Sequence, residues 1–257
     1  MELWFILILV GLMVIAALYS SVGHGGASGY LAILSLTAFA TRDSAWLKQQ
    51  AWCLNLLVAA LAFYHYRRSG HHIPKLTIPF IVASIPFAVV GGYMNVSGEI
   101  YDILLSITLV WAAWRLLSVS DSAESDIESS IPELKIAVPV GGVIGFLSGI
   151  IGVGGGIFLS PVVLLKKWAT PKAAAATAAL FIWVNSAAGL VGSALSGQLV
   201  LELNTLVWFL GAVLVGGIFG SRYGAYFASQ NVVRKILVLV LVIAAVKRLL
   251  EMANFIS

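Results

Sequence analysis

Charge is scarce in this sequence: of its 257 residues only 10% are charged, whereas 60% are apolar. A soluble domain carries about 25% charged residues, so this composition excludes a folded domain with a fully solvated surface. The charges also separate apolar stretches, several of which are long enough to cross a hydrocarbon core of roughly 30 Å. The sequence therefore predicts an all-α polytopic membrane protein with the lipid bilayer as its surroundings.

Motifs for catalysis are also lacking. Cys53 is the single cysteine, which excludes an internal disulfide and a Cys–Cys metal or redox pair. The sequence has no Walker-type loop, no His-rich metal spacing and no acid pair within an apolar segment. No basic run is interleaved with aromatic residues. We therefore expect no enzyme activity, no cofactor or metal, and no nucleic-acid partner.

The apolar stretches fall into two sets of five. The first set lies near residues 2–22, 27–40, 46–66, 76–95 and 100–118, and the second near 136–151, 156–165, 173–195, 203–221 and 232–252. The first stretch lacks a basic n-region and a clear cleavage site, so we expect a retained segment. An acidic, serine-rich linker at 119–134 separates a first membrane repeat, 1–118, from a second, 135–257.

The two sets resemble copies of one another. Three pairs match at separations of 129, 130 and 125 residues: Gly23-His24-Gly25-Gly26 with Gly152-Val153-Gly154-Gly155, Asn55 with Asn185, and Gly91-Gly92 with Gly216-Gly217. Matches that keep the same order and nearly the same separation indicate an internal duplication. Five hydrophobic segments per copy is an odd number, which predicts that the second copy is inverted.

The distribution of basic residues favours the same arrangement. Alternating sides place eleven of the fifteen basic residues in the cytoplasm: Arg67, Arg68, Lys75, Arg115, Lys135, Lys166, Lys167, Lys172, Arg222, Arg234 and Lys235. The positive-inside rule strongly prefers this topology. We therefore expect a multi-pass protein of the inner membrane, with a cytoplasmic linker and both termini outside.

The glycine motifs are the best candidates for a binding site. Each lies between a long apolar segment and a short one, where a helix should break. A half-helix that starts there directs free N–H groups and its positive dipole end at the membrane middle. Two breaks related by inversion are typical of the midplane site of a secondary transporter, although small residues also permit tight helix packing. The candidate substrate-binding residues are Gly23, His24, Gly25, Gly26, Asn55, Gly152, Gly154, Gly155, Gly156 and Asn185.

Each polar candidate has two interpretations. His24 could add charge or relay a proton, or it could be a neutral histidine satisfied by a backbone carbonyl. Asn55 and Asn185 could donate to an anion or cross-link helices. The short second segment of each copy fits a re-entrant hairpin as well as a tilted, broken crossing, because both leave the same sidedness.

The glycine motifs also resemble a known family. The second lies within Gly145-Phe-Leu-Ser-Gly-Ile-Ile-Gly-Val-Gly-Gly-Gly156, and with the first it resembles the sulfite exporter TauE/SafE family over essentially the whole chain. The resemblance implies an exporter of sulfite or an organosulfonate, driven by the proton gradient or the membrane potential. We expect a secondary transporter that works by alternating access. A passive anion channel is the alternative, followed by a membrane-embedded enzyme or assembly subunit; the sequence leaves homo-oligomerisation open.

Overall fold

The computed structural model describes residues 2–35, 37–39, 42–94 and 130–233, together with residues 235, 236, 239, 242 and 246. Within these residues the regular structure is helical and no strand occurs. Five of the described helices are long and apolar enough to cross a membrane. The prediction of an all-α polytopic membrane protein is confirmed. The predicted fifth segment, most of the tenth and residues 119–129 of the predicted linker lie outside the described residues.

The helices follow the predicted segments closely. They are α1 (Leu3–Ser20), α2 (Ala27–Ser35), α3 (Ser44–Arg68), α4 (Pro74–Tyr93), α5 (Leu134–Ile151), α6 (Gly156–Leu165), α7 (Pro171–Leu195) and α8 (Leu203–Arg222), and a π-helical turn (Tyr223–Phe227) continues α8. At 1.5 Å per residue, the 25 residues of α3 and of α7 extend about 38 Å. The nine residues of α2 and ten of α6 reach only about 15 Å, half a bilayer.

Glycines at every fourth position bring two helix pairs into close contact. A Cβ on Gly141 or Gly145 of α5 would lie 2.5 Å from a backbone carbonyl oxygen of α4. Along α4 and α5 the contacting residues are Phe80 with Gly141, Ser84 with Gly145 and Ala88 with Gly149. Along α1 and α8, including the residues just after each helix, they are Met13 with Gly216, Ala17 with Gly220 and Ser21 with Gly224. Since the numbers rise together, each pair runs parallel. Small residues permit this approach.

Helices α3 and α7 cross at the centre of the molecule and run in opposite directions. Gln49 donates to Ser193, and Asn55 donates to Ser186, so the residue numbers on α7 fall as those on α3 rise. The Gln49 amide also bonds the loop after α7, donating to the carbonyl of Gln198 (2.7 Å) and accepting from the N–H of Val200 (2.7 Å). The centre of the fold is therefore an antiparallel helix pair.

Two apolar clusters flank this pair. One contains buried residues of α1, α2, α3 and α8, and the other is built mainly on α4 to α7. The fourth helix of each half thus packs with the first three helices of the other half. α4 is joined to α7 by a hydrogen bond between the hydroxyls of Thr77 and Thr177 (2.9 Å), and α8 is joined to α3 by one between Ser221 and His65 (2.8 Å).

Candidate functional site

The two glycine motifs interrupt the helices where the sequence predicts. We call residues 21–26, between α1 and α2, the first break, and Gly152–Gly155, between α5 and α6, the second break. Gly23 and Gly26 have φ values of +77° and +102° in the first break, and all three glycines of the second break also have positive φ, from +78° to +85°. Glycine adopts this conformation without the strain of a side chain. Each break therefore turns the chain sharply before a half-length helix.

Both breaks reach the middle of the central helix pair. A Cβ on Gly25 would lie 2.6 Å from Asn55 Cγ and 3.1 Å from Ile182 Cγ2. A Cβ on Gly154 would lie 2.7 Å from Ile182 Cγ2 and 2.8 Å from Asn55 Nδ2. Asn55 and Ile182 are each the twelfth residue of their 25-residue helix. The structure therefore brings Gly25, Gly154 and Asn55 together where α3 crosses α7.

The same contacts correct the sequence register between the two copies. Gly23 of the first break lies against Ala175, the fifth residue of α7, and Gly152 of the second lies against Lys48, the fifth residue of α3. By this symmetry the counterpart of Asn55 is Ile182, three residues before Asn185. The Asn185 amide nitrogen instead donates to Ser84 of α4 (2.9 Å) and to the carbonyl of Phe181 (2.8 Å). It joins α7 to α4, and it makes no hydrogen bond to either break.

Each break presents a run of free backbone donors. The N–H groups of residues 25–28 and of residues 153–157 have no acceptor among the residues that the structure describes. All of these residues except Ser28 are buried. Like most of the described helices, α6 has no side-chain capping hydrogen bond, but its first N–H groups are buried and so are also shielded from water. Buried free N–H groups at the positive end of a helix dipole form a site suited to an anion.

Asn55 connects the two runs of donors. It is fully buried, and its Nδ2 donates to the carbonyl of Val153 (3.4 Å) in the second break. Its Oδ1 lies against Gly25 of the first break and has no hydrogen-bond partner among the described residues. A buried polar atom without a partner is rare in proteins. Asn185 Oδ1 also lacks a partner among the described residues, but Asn55 is the asparagine that contacts both breaks.

His24 links the first break to α6. Its Nδ1 lies 3.0 Å from the carbonyl oxygen of Val22, and its Nε2 lies 3.4 Å from Ser160 Oγ. A carbonyl only accepts, so we assign the hydrogen to Nδ1, which leaves Nε2 to accept from the Ser160 hydroxyl. The ring is 1% exposed. These contacts place the ring between the first break and α6, with Nε2 directed at Ser160.

Tyrosines that the sequence analysis did not single out hold the first break. The Tyr66 hydroxyl donates to the carbonyl of Ser21 (2.6 Å), and the Tyr30 hydroxyl donates to that of Gly25 (2.7 Å). Both side chains are fully buried. Tyr30 has a signal in the sequence, because interfacial tyrosines lie at segment ends whereas Tyr30 lies inside a half-length apolar segment. Tyr66 has no such signal, because it ends the predicted stretch 46–66.

No metal site accompanies these groups in the described part of the chain, where no three histidine, cysteine or acidic residues cluster. Apolar membrane-crossing helices around two buried breaks define a polytopic membrane transporter as the class. The chain belongs to the sulfite exporter TauE/SafE family, whose model matches residues 7–248. The resemblance seen in the glycine motifs is thereby confirmed.

Two curated relatives are described as probable transporters. The chain is 34% identical over 242 residues to "Probable membrane transporter protein y4hK" of Sinorhizobium fredii (strain NBRC 101917 / NGR234), covering 93% of this chain and 96% of that protein. It is 26% identical over 189 residues to "Probable membrane transporter protein YunE" of Bacillus subtilis (strain 168), covering 66% of this chain and 65% of that protein. No solved structure matches. Family and relatives indicate a transporter and not an enzyme.

Proposed function

We propose that this protein is a secondary transporter that exports a small sulfur-containing anion, such as sulfite or an organosulfonate, by alternating access. One observation carries the proposal: two runs of buried, unpartnered backbone N–H groups meet on either side of Asn55. An oxyanion offers several acceptor oxygens, and it would satisfy donors that protein groups leave free. The family name supports the substrate class, and the names of both relatives support the transporter class.

Closure of the site favours a carrier over the alternative of a passive channel. Asn55 is 0% exposed, His24 is 1% exposed, and the glycines of both breaks are buried. A carrier passes through a state in which its substrate is closed off from both sides, and these residues fit such a state. Counterflow distinguishes the two mechanisms, because only a carrier exchanges substrate for substrate.

The direction of the helices supports two inverted repeats, 1–118 and 135–257. α3 and α7 occupy equivalent places and run antiparallel, and each half contributes its fourth helix to the other half's cluster. We propose that the repeats lie in the inner membrane with both termini outside and the linker, 119–134, in the cytoplasm. The halves would then rock about the central pair.

Cysteine labelling tests this topology. The loops after α3 and α7 are equivalent, and each has a glycine with positive φ, Gly70 and Gly197. In a Cys53→Ala background, Ser69→Cys should react with a membrane-impermeant thiol reagent only from the cytoplasmic side, and Ser196→Cys only from outside. Labelling of both positions from the same side would contradict inversion.

Transport is tested in proteoliposomes with labelled sulfite, sulfoacetate and taurine, with and without a pH gradient. We expect saturable flux of at least one anion, with counterflow, and loss of that flux in Asn55→Ala. Flux that does not saturate and shows no counterflow would establish a channel instead. Absence of flux for all three compounds, in correctly inserted protein, would overturn the proposed substrate class.

We also propose that a proton is coupled to the anion and that His24 carries it. The Nε2 atom accepts from Ser160 at rest, so it is the nitrogen that could take a proton when that contact opens. His24→Gln should keep flux driven by the anion gradient and lose the response to a pH gradient. His71→Gln is the matched control: His71 lies in the loop after α3, where burial and then the charge of Lys172 lower its pKa. An unchanged pH response in His24→Gln would exclude this role.

A further inference from the structure

Lys48 lies beside the second break, although nothing in its sequence context distinguishes it from the other basic residues near segment ends. It is the fifth residue of α3 and is only 4% exposed. A Cβ on Gly152 would lie 2.8 Å from Lys48 Cγ and 3.1 Å from Lys48 Cβ, so the lysine stem packs directly on this glycine. The equivalent residue beside the first break is Ala175. Of these two equivalent positions, only the one beside the second break carries a cation.

Lys48 forms no ion pair with an acid among the described residues. The ion pairs in the described part of the chain join Arg42 with Glu202 and Lys135 with Glu133, and Lys48 takes part in neither. Asp43, just before α3, attracts Lys48 without forming an ion pair with it, and Asp43 itself is exposed to solvent. An exposed acid at longer range compensates a buried lysine only weakly, because water screens it. An anion beside Lys48 would supply a closer counter-charge.

The position of Lys48 relative to Asn55 makes a substrate anion the natural counter-charge. The two residues are seven apart on α3, which places them on one face of the helix about 10 Å apart along its axis. The second break runs along this face, because Gly152 contacts Lys48 and Gly154 contacts Asn55. The free N–H groups of residues 153–157 begin between the two side chains.

We propose that Lys48 is the charge-selecting residue of the anion site and favours substrates with a net negative charge over zwitterions. This inference rests on the proposed transport of anions. The competing explanation is a lysine whose buried stem only carries its ammonium to the membrane surface, without touching substrate. The two explanations differ in what removal of the charge does to binding.

The test compares binding and flux of an anion, sulfoacetate, with those of a zwitterion, taurine. Lys48→Met keeps the length of the side chain and removes its charge, and Lys48→Arg keeps the charge. The matched control is Lys135→Met, since the Lys135 side chain is 75% exposed. Binding is followed by tryptophan fluorescence of the purified protein, and flux is measured in proteoliposomes.

We expect Lys48→Met to weaken sulfoacetate binding by about tenfold or more, the scale of losing one charge-assisted hydrogen bond, with taurine unaffected. Lys48→Arg should retain most of the affinity. If Lys48→Met folds poorly, Lys48→Cys in a Cys53→Ala background can be aminoethylated, and recovery of sulfoacetate binding on the same protein tests the charge directly.

The outcomes separate this inference from the proposed function. Wild-type flux with sulfoacetate affinity unchanged in Lys48→Met would overturn the role of Lys48 and leave anion transport standing. Lys48-dependent binding without any wild-type flux would support the role and overturn transport. Absence of sulfoacetate binding to the wild-type protein would overturn both.

Discussion

Adding one methyl group to the breaks is the most direct test of the site. Gly25→Ala places a Cβ against the side-chain amide of Asn55, at a φ that alanine accepts. Gly154→Ala places a Cβ 2.7 Å from Ile182 and also requires a φ of +78°. The methyl at Gly25 would displace the amide that joins the two breaks. Gly25→Ala therefore perturbs the site by contact alone, and Gly154→Ala by contact and backbone strain.

Two glycines outside the breaks complete the comparison. Gly197, in the loop after α7, has a φ of +72°, but a Cβ there would meet none of the described atoms within 4 Å. Gly211, within α8, has the same open space and no positive φ. Gly197→Ala thus introduces backbone strain without a new contact, and Gly211→Ala introduces neither strain nor contact.

The expected magnitudes follow from these contacts. Strain at Gly197 should lower stability by roughly 1–2 kcal/mol, whereas Gly211→Ala should gain up to about 1 kcal/mol from helix propensity. Overpacking at Gly25 should cost about 1–3 kcal/mol, and the sum at Gly154 is roughly 2–5 kcal/mol. If the overpacking energy is lost from substrate binding, the Kd of the substrate rises by about 5- to 150-fold.

Thermal stability in detergent and flux in proteoliposomes are measured for all four variants. We expect Gly197→Ala to melt earlier and transport normally, and Gly25→Ala to insert correctly and transport poorly. Gly154→Ala should show both defects, while Gly211→Ala should transport like the wild type and melt no earlier. Flux by Gly25→Ala equal to that of Gly211→Ala, at equal protein per vesicle, would refute the placement of the site.

Three further predictions concern the contacts around the site. Tyr66→Phe leaves a buried carbonyl of the first break without its donor, so it should lower the melting temperature by the equivalent of about 1–3 kcal/mol, whereas exposed Tyr64→Phe should not. Gln49→Leu removes three hydrogen bonds to α7 and its following loop, and should raise thiol labelling of a cysteine placed in that loop; unchanged labelling would show that other contacts hold it. Hydrogen exchange should be faster in the second break than in the first, because the side-chain hydrogen bond that holds the second break is longer. Equal protection of the two breaks would contradict this expectation.

Local signals predict most of the helical layout. The apolar stretch 46–66 becomes α3 (Ser44–Arg68), and the short stretch 156–165 is α6 residue for residue. The second stretch, predicted at 27–40, yields a shorter helix, α2 (Ala27–Ser35). Glycine runs stop helices because of their own backbone freedom, and apolar length is set by the membrane, so both are readable without tertiary information.

The residues that face the breaks are less accessible to sequence reasoning. The sequence pairs Asn55 with Asn185, which lies 130 residues later and is chemically alike, yet the contacts at the breaks make Ile182 its counterpart. The register depends on the number of residues between the half-helix and the central helix, and this number differs between the copies. Lys48 is hard to find from the sequence for a related reason, because its contact with Gly152 exists only where α3 passes the other half of the chain.

The two breaks have similar backbone geometry, but they differ in the hydrogen bonds that hold them. Two carbonyls of the first break accept hydrogen bonds from buried tyrosine hydroxyls, at 2.6 and 2.7 Å. In the second break, the carbonyl of Val153 accepts a longer hydrogen bond, at 3.4 Å, from the Asn55 amide. Shorter hydrogen bonds to buried groups resist opening more strongly. The second break also has the longer run of free N–H groups and the neighbouring Lys48. The more weakly held break is therefore the one best equipped to attract an anion, so binding there can change the balance between the two halves.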